Sequence, residues 1–470
     1  MMSRIREQLL ERPLLWRGTL AGLALLLALA IALAPAPTLF SAAAVAALLL
    51  VPGVLIGSLR DRLPLELCFL AFVALLPATR LSLLEAGFSL QANYVMLVAV
   101  AGLLAWRAGM LRLPLWFPRS RVHGAALILF LIVALSFFLS AQVPPGEYRG
   151  EVRYLRSAKQ IFYLAFMLLT YGAVILTVQT RRLFRWAIWT FVGTSALVSL
   201  YGLYQFVAYP LGLPFVDLFP ESASFGQSRV WAISLAGGRF LRIWSVASEP
   251  VWFGDYLAGA IPLTASLAFS GVVPRGRWRL GLWLALAGML LALLLTFTRS
   301  AYMALVVGAL VLLAFRPRLL RRALMAGAAL LLILLVFSLV ASQLPIVDQA
   351  SLLGAVADRF ISPFQEEHFG NIHRATALAA SWEMFKARPW GVGYGNYGFF
   401  YYDHQPAWGS SITDIYPDVF PVMSGGILLR LLTETSVPGV LAFIALVVVV
   451  ALEGIGAQRR AAGDRFMDAA

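Results

Sequence analysis

Cysteine and lysine are almost missing from this chain. Its 470 residues include one cysteine, Cys68, and two lysines, Lys159 and Lys386. A single thiol excludes a disulfide within the chain and argues against a cysteine-bound metal cluster. Only 13% of the residues are charged, about half the share that is usual in soluble domains. The composition therefore does not fit a soluble α/β enzyme.

Several catalytic signatures are missing as well. The sequence has no Walker motif and no Gly-x-Ser-x-Gly, and His368 and His373 are not spaced as zinc ligands on one helical face. Residues 391–398, "GVGYGNYG", carry the lettering of a dinucleotide fingerprint, which has meaning only between a buried strand and a helix. We predict neither element here, and interpret the stretch as a turn packed against the membrane face. We expect no cofactor and no bound metal.

What the chain does have is long apolar runs, since 61% of its residues are hydrophobic. Residues 18–34 and 322–341 are two of many runs long enough to cross a bilayer as a helix of ~20 residues. We therefore predict an all-α fold, a polytopic transmembrane helical bundle of about twelve spans. The predicted spans lie near residues 15–34, 38–57, 64–79, 92–108, 122–141, 160–178, 185–208, 250–271, 279–297, 299–315, 322–342 and 427–453.

The arginines are unevenly distributed between the predicted connections. Basic clusters such as "RRLFR", "RGRWR" and "RPRLLRR" all fall on one side, which the positive-inside rule makes cytoplasmic, together with both termini. The formal net charge of +14 then reflects topology and contact with membrane lipids, and predicts no nucleic-acid partner. We divide the chain into spans 1–11 with short loops (1–342), a large extracytoplasmic loop of short helices (343–426), and a last span with a cytoplasmic tail (427–470).

An arginine beside a span on the outer side opposes this bias and is costly to desolvate. Arg299 lies where two predicted spans meet in a tight outer turn. It is either a snorkelling interfacial arginine or a fixed cation lining an outward cavity. A cation of this kind suits phosphate, because guanidinium binds its oxygens bidentately.

Carboxylates also lie near the predicted spans. Glu249 stands at the mouth of a span, seven residues after Arg242, and Asp255 lies about two turns further in. Asp255 and Glu434 are candidates for a helix-packing partner of an arginine or for a catalytic base. Glu249 is either a catalytic group or simply an acid at a helix N-terminus, a position that the helix dipole favours without any catalytic role.

Four stretches in chain order resemble motifs of the O-antigen ligase and O-antigen polymerase (Wzy-type) superfamily. They are "RIWSVASEPVWFGDYL", "TFTRSAYMAL", "RATALAASWEMFKARPWGVGYGNY" and "LLRLLTETSVPGV", and together they cover roughly residues 240–445. The matching residues are Arg242, Pro250, Phe253, Tyr256, Leu257, Arg299, Arg374, Trp382, Pro389, Gly391, Gly393, Glu434 and Gly439.

The resemblance implies a type C-like, metal-independent and inverting glycosyltransferase. It would transfer a glycan from an undecaprenyl-diphosphate carrier to a glycan or lipid acceptor at the outer face of the bacterial plasma membrane, with a chain-length regulator as a further candidate partner. Arg242 and Arg299 would bind the donor diphosphate and stabilise its departure, as fixed cations in a dry cavity do. The substrate-binding candidates are Arg374, Asp255, Tyr256, Trp382, Gly391, Gly393 and Glu434.

Two departures from the ligase pattern favour a glycan polymerase of the O-antigen or exopolysaccharide type. Gly425 and Gly426 stand where ligases carry a His-Asn pair, and Ser436 replaces a glycine. Glu249 and His404 are then our candidates for the base that activates the acceptor. The alternatives are ligase-like transfer to lipid A-core or protein and, in another class, a secondary transporter or flippase. Transporters tend to show internal repeats, which we do not find here.

Overall fold

The computed structural model describes residues 63–79, 82–85, 89–109, 117–143, 146–148, 151–209, 211, 213, 232–235, 238–270, 272–273, 276–315, 354, 356–357, 369–406 and 426–461. The chain divides into two compact units. The first comprises residues 1–114, 214–230 and 246–248, and the second comprises residues 115–213, 231–245 and 249–470.

The described part of the first unit is a pair of helices joined by a hairpin. Helix α1 (Leu63–Leu75) packs against α2 (Ala92–Gly109), and strands β1 (Ser82–Glu85) and β2 (Ser89–Gln91) pair antiparallel between them. The backbone N–H of Ser248 donates to the hydroxyl oxygen of Thr79 over 3.1 Å. This hydrogen bond connects the segment 246–248 to the residues that follow α1.

The second unit is mostly helical. Helix α3 (Arg121–Leu135) continues as a 3₁₀ helix (Ser136–Gln142), and two short strands, β3 (Glu147–Tyr148) and β4 (Glu151–Val152), form a hairpin before the next helix. Strands β5 (Ala232–Leu235) and β6 (Gly238–Leu241) form another hairpin. The remaining helices are α4 (Arg153–Thr177), α5 (Arg181–Ala208), α6 (Pro250–Ser270), α7 (Arg277–Leu295), α8 (Arg299–Phe315), α9 (Phe369–Ala387), α10 (Tyr397–His404) and α11 (Ile427–Ala461).

Local sequence signals account for the ends of two of these helices. Ser120 precedes α3 and its hydroxyl accepts from the N–H of Val122, while Thr180 precedes α5 and accepts from the N–H of Leu183 over 3.2 Å. These side chains satisfy donors that the first turn of a helix leaves without a backbone partner. Apolar residues then dominate both helices, as the sequence predicts for spans.

Five of the described helices are long and apolar enough to cross a membrane, so the chain is a membrane protein. Nine of the predicted spans coincide with described helices, those near 64–79, 92–108, 122–141, 160–178, 185–208, 250–271, 279–297, 299–315 and 427–453. The predicted spans 15–34, 38–57 and 322–342 lie outside the described residues. The total of about twelve and the cytoplasmic termini stay predictions.

Helix contacts within the second unit bring the predicted motifs onto a common framework. Helix α6 packs against α8 and α7, α7 packs against α5, and α11 packs against α3 and α9. On α5, Gln205 donates to the carbonyl oxygen of Ser245 over 2.9 Å and accepts from its N–H over 2.7 Å. These two bonds hold the segment that follows β6, which carries Arg242, against the helices.

One expectation from the sequence is wrong. We predicted no helix after the glycine turn, but α10 begins at Tyr397. The physical reason is burial, because Tyr397, Phe400 and Tyr401 join one hydrophobic cluster with Ala377, Ala380 and Met384 of α9. A short helix of aromatic residues is stabilised by this packing despite the glycines around it.

Candidate functional site

The turn between α7 and α8 carries the first group of predicted site residues. Thr296, Phe297 and Thr298 form the turn, and Phe297 takes a positive φ of 49° with its side chain fully buried. Arg299 is the first residue of α8 and is 7% exposed. The predicted tight turn at Arg299 is therefore confirmed, and the guanidinium is held inside the protein.

Arg242 binds to this same turn. Its Nε donates to the carbonyl oxygen of Thr296 over 3.0 Å, and Nη2 donates to the hydroxyl oxygen of Thr298 over 3.3 Å. The backbone N–H of Ile243 also donates to the carbonyl oxygen of Leu295 over 3.1 Å. The structure thus places Arg242 against the three-residue turn that immediately precedes Arg299.

Arg242 is half-buried, beside a phenol and a carboxylate. Burial lowers the pKa of the Arg242 guanidinium, and the nearby Tyr302 and Glu249 oppose that shift by favouring the cation. Glu249 precedes α6, and its carbonyl oxygen accepts from the N–H of Phe253 over 3.2 Å. A cation with an acid close by is an arrangement that suits an anionic substrate beside a proton acceptor.

Asp255 and Tyr256 lie on α6 and have different surroundings. Asp255 is exposed and its carboxylate is hydrogen-bonded to Ser300, the residue after Arg299. The hydroxyl of Tyr256 lies 2.8 Å from Oγ of Ser195, and its ring packs edge-on against Phe191. Asp255 is therefore placed beside the arginine turn, whereas the contacts of Tyr256 connect α6 with α5.

The glycine turn fits into a break in α11. Pro438 has no N–H for the carbonyl oxygen of Glu434, four residues before it, and Ser436 leaves the helical conformation with φ 64° and ψ −165°. The freed carbonyl oxygens of Thr433 and Glu434 accept instead from the N–H groups of Val392 (3.0 Å) and Gly393 (2.9 Å). The turn therefore completes the hydrogen bonding of a broken helix.

The glycines of this turn are required by its geometry. Gly391 and Gly393 have φ of 92° and 89°, where L side chains are strained. A Cβ at Gly391 would lie 2.7 Å from the carbonyl oxygen of Glu434, and one at Gly393 would lie 2.9 Å from that of Ser136. Ser436, which stands at a glycine position of the family motif, also has a positive φ. These three positions are explained by backbone packing.

Glu434 is 1% exposed and belongs to an internal polar network. Its carboxylate accepts from Nε of Arg430 over 2.9 Å and from the N–H of Tyr397 over 3.2 Å. Arg430 also donates to Gln160 over 3.0 Å. On α4, Arg156 donates to the carbonyl oxygen of Gly395 over 2.8 Å.

The sequence prediction missed Arg156 and Arg430. The spacing of four between Arg430 and Glu434 inside an apolar helix is the signal that could have indicated the second, because residues four apart share a helix face. Nothing in the sequence pairs Arg156 with the glycine turn.

The remaining candidates lie on α9 and α10. Nδ1 of His404 lies 2.9 Å from the carbonyl oxygen of Phe400, and its ring packs against the Phe400 ring, so the contacts described for His404 are within its own helix. Arg374 is exposed, and Trp382 is 52% exposed with its ring near Phe385. The described contacts do not join any of these three to the arginine turn.

These features define a helical membrane protein with two groups of arginines inside it. Arg242 and Arg299 lie at the tight turn between α7 and α8, and Arg156 and Arg430 lie beside the glycine turn. Residues 284–422 match the family model described as O-Antigen ligase, which confirms the resemblance to the O-antigen ligase and polymerase superfamily. The matched segment includes Arg299, Arg374 and the glycine turn, while Arg242 and Glu434 lie outside it. No curated protein matches the chain, and no solved structure matches it.

Proposed function

We propose that the protein is a glycan polymerase, which transfers a saccharide from an undecaprenyl-diphosphate-linked donor to a lipid-linked glycan acceptor at the outer face of the plasma membrane. The observation that carries the proposal is the attachment of Arg242 to the turn that precedes the buried Arg299. The family match supports glycosyl transfer as the reaction class.

The chemistry needs cations that are already in place. When the bond between the sugar and the diphosphate breaks, negative charge grows on the leaving group. The Arg242 guanidinium is held by a backbone and a hydroxyl oxygen, so it does not have to reorganise as that charge develops and stabilises the transition state more than the ground state. Arg242 and Arg299 would serve this role, and Glu249, which lies close enough to favour the cationic form of Arg242, would accept the proton of the attacking hydroxyl.

A second candidate is ligation of the glycan to a lipid or protein acceptor. The description of the matching family favours it. The sequence departs from the ligase pattern at Gly425 and Gly426, and we therefore place it second to polymerisation.

Polymerisation and ligation can be distinguished in a reconstituted system. The purified full-length protein in nanodiscs is given a lipid-linked oligosaccharide alone, and the products are resolved by mass. A polymerase yields a ladder of multiples of the repeat on the lipid carrier. A ligase yields no ladder until a lipid or protein acceptor is added. If the folded protein makes no product either with the donor alone or with an added acceptor, glycosyl transfer is not its activity.

A further inference from the structure

Trp390 lies in the glycine turn and is 80% exposed, more than any other large apolar side chain among the described residues. The main chain on both sides of it is fixed. The carbonyl oxygen of Pro389 accepts from the hydroxyl of Ser436, and the N–H of Val392 donates to the carbonyl oxygen of Thr433 over 3.0 Å. An exposed apolar side chain is ordinary on its own, so the role of Trp390 depends on what lies beside this fixed turn.

Three helices of membrane-spanning length meet the glycine turn. They are α3 with its 3₁₀ continuation, α4 and α11. The N–H of Tyr394 donates to the hydroxyl oxygen of Ser136, where α3 ends, over 3.0 Å, and Arg156 near the start of α4 donates to the carbonyl oxygen of Gly395 over 2.8 Å. The break in α11 accepts the hydrogen bonds of the turn described above. The turn therefore lies toward the same end of all three helices.

The opposite ends of these helices lie together and are basic. Nδ1 of His123 on α3 lies 2.7 Å from the hydroxyl oxygen of Tyr171 on α4, and Glu453 on α11 is close enough to Tyr171 to interact with it electrostatically. The exposed arginines at this end are Arg119, Arg121, Arg181, Arg182, Arg459 and Arg460. Arginines keep their charged heads out of the hydrocarbon of a bilayer, so this end lies at one membrane–water interface.

The lengths of the same helices place the glycine turn near the other interface. At a rise of 1.5 Å per residue, the stretches 121–136, 160–177 and 436–459 are about 22, 25 and 34 Å long. Gln160 marks the start of the second stretch, because Gly395 packs against its side chain. The hydrocarbon core of a bilayer is ~30 Å thick. The turn is thus separated from the basic end by about one hydrocarbon thickness.

The surface of α11 between these two levels is apolar and exposed, as a lipid-facing surface is. Val437, Leu441 and Ile444 follow the break and are 45%, 60% and 45% exposed. Because the turn is bonded to α11 at Ser436, the main chain of Trp390 lies where this apolar surface ends. Tryptophan is enriched at such levels, since its ring is apolar and its indole N–H is a donor that headgroups accept from.

We propose that Trp390 binds the headgroup region of the bilayer at this interface and anchors the glycine turn to the membrane surface. The partner is the zone of phospholipid phosphates, glycerol esters and first acyl carbons, because the lipid-facing surface of α11 ends at the same level. The sequence predicts only that the turn packs against the membrane face, and the inference gives that packing a residue, a partner and a depth. It involves neither the donor nor the acceptor of the proposed reaction, so it stands apart from the proposed function.

The test measures the depth of position 390 in a bilayer. Trp390→Cys is made in the full-length protein in a Cys68→Ala background, labelled with a nitroxide and reconstituted into phosphatidylcholine nanodiscs. Power saturation gives the collision rates of the label with oxygen, which concentrates in the acyl chains, and with a water-soluble nickel chelate. Phospholipids that carry a nitroxide on the headgroup or in the acyl chain calibrate the depth. Leu441→Cys, labelled in the same way, is the matched reference within the lipid-facing surface of α11.

We expect the label at position 390 to lie at the headgroup level, about 8 Å shallower than the label at position 441, which is the rise of α11 from Ser436 to Leu441. A label as deep as the one at 441 would overturn the proposal. So would a label that collides with nickel as freely as in water, because the turn would then stand clear of the membrane. Few collisions with either reagent would show that protein covers Trp390, either another segment of the chain or a second copy, and would also overturn it.

A second pair of variants tests the indole itself. Trp390→Ser should lower the melting temperature of the protein in nanodiscs, whereas Trp390→Tyr should retain it, because tyrosine also favours the interface. An 80% exposed side chain that only contacts water would give equal melting temperatures in both variants, and that result would rule out anchoring. If Trp390→Cys does not fold, a label in Val437→Cys carries the depth measurement. It should lie at the headgroup level too, and a label in water or at the depth of 441 would contradict the proposal.

Discussion

The N–H of Gly393 donates to the carbonyl oxygen of Glu434 over 2.9 Å, and this hydrogen bond joins the glycine turn to the break in α11. The carbonyl is available because Pro438 has no N–H to offer it. A helix break inside the protein needs such partners, since an unsatisfied backbone carbonyl away from water costs several kcal/mol. The turn is therefore part of the helix framework around Glu434 and its partner Arg430.

Replacement of Gly391, in the same turn, should destabilise the junction between the turn and α11. Gly391→Ala places a Cβ 2.7 Å from the carbonyl oxygen of Glu434 and forces φ of 92° on an L residue, so we expect a loss of about 2 kcal/mol or more in unfolding free energy. Gly281→Ala is the control, because it lies in α7 with nothing within 4 Å of its Cβ. It should be neutral or stabilise by about 0.5–1 kcal/mol. Equal melting temperatures for the two variants would contradict the assignment.

The sequence predicted these parts unevenly, for reasons that particular residues show. The apolar runs predict α3 to α8 and α11 because hydropathy and run length are local properties of the chain. The motif resemblance assigns Arg242 and Arg299 to one donor site, which stays a prediction, although Arg242 is bonded to the turn that immediately precedes Arg299. By contrast, Arg156 meets Gly395 across 239 residues, and Arg430 meets Gln160 across 270. Contacts at such separations depend on helix packing and have no local signature.

The predicted topology is open to direct labelling. Cysteines placed at Ser410 and Leu320, in a Cys68→Ala background, would be tested with a membrane-impermeant maleimide. These two positions lie outside the described residues. We expect position 410 to react in intact spheroplasts, because residues 343–426 are predicted to be extracytoplasmic, and position 320 to react only after permeabilisation. The opposite pattern would show that the predicted orientation is inverted.

The donor-site prediction concerns Arg299. Arg299→Ala removes a buried cation from the turn that binds Arg242, and we expect the rate of glycan transfer to fall about 100- to 1,000-fold, as for other groups that stabilise a departing charge. Arg299→Lys should recover little of it, because an ammonium group does not reproduce the bidentate fork. Transfer is assayed in nanodiscs with a lipid-linked donor.

The control for that experiment is Arg277→Ala. Arg277 is an exposed arginine at the start of α7, with its guanidinium 5.8 Å from the centre of the Trp278 ring. It should keep wild-type transfer and wild-type melting temperature. If Arg299→Ala is folded and fully active, Arg299 is not part of the donor site.

The acceptor base is the last prediction, and the structure favours one of its two candidates. Glu249 lies close enough to Arg242 to favour its cationic form, whereas the contacts described for His404 are within α10. A donor held by Arg242 would therefore have Glu249 near the attacking hydroxyl. General-base assistance is typically worth ~10²–10⁴-fold in rate, so Glu249→Gln should lower transfer by that amount and His404→Ala should change it little.

The pH dependence of transfer gives an independent reading of the same choice. A carboxylate or an imidazole must be unprotonated to act as a base, so activity falls on acidification through the base's own pKa. We expect the acid limb of the wild-type profile to disappear in Glu249→Gln and to persist in His404→Ala. An acid limb that His404→Ala removes would reassign the base to His404. Unchanged turnover in both variants would show that departure of the diphosphate, assisted by the arginines, suffices without a base.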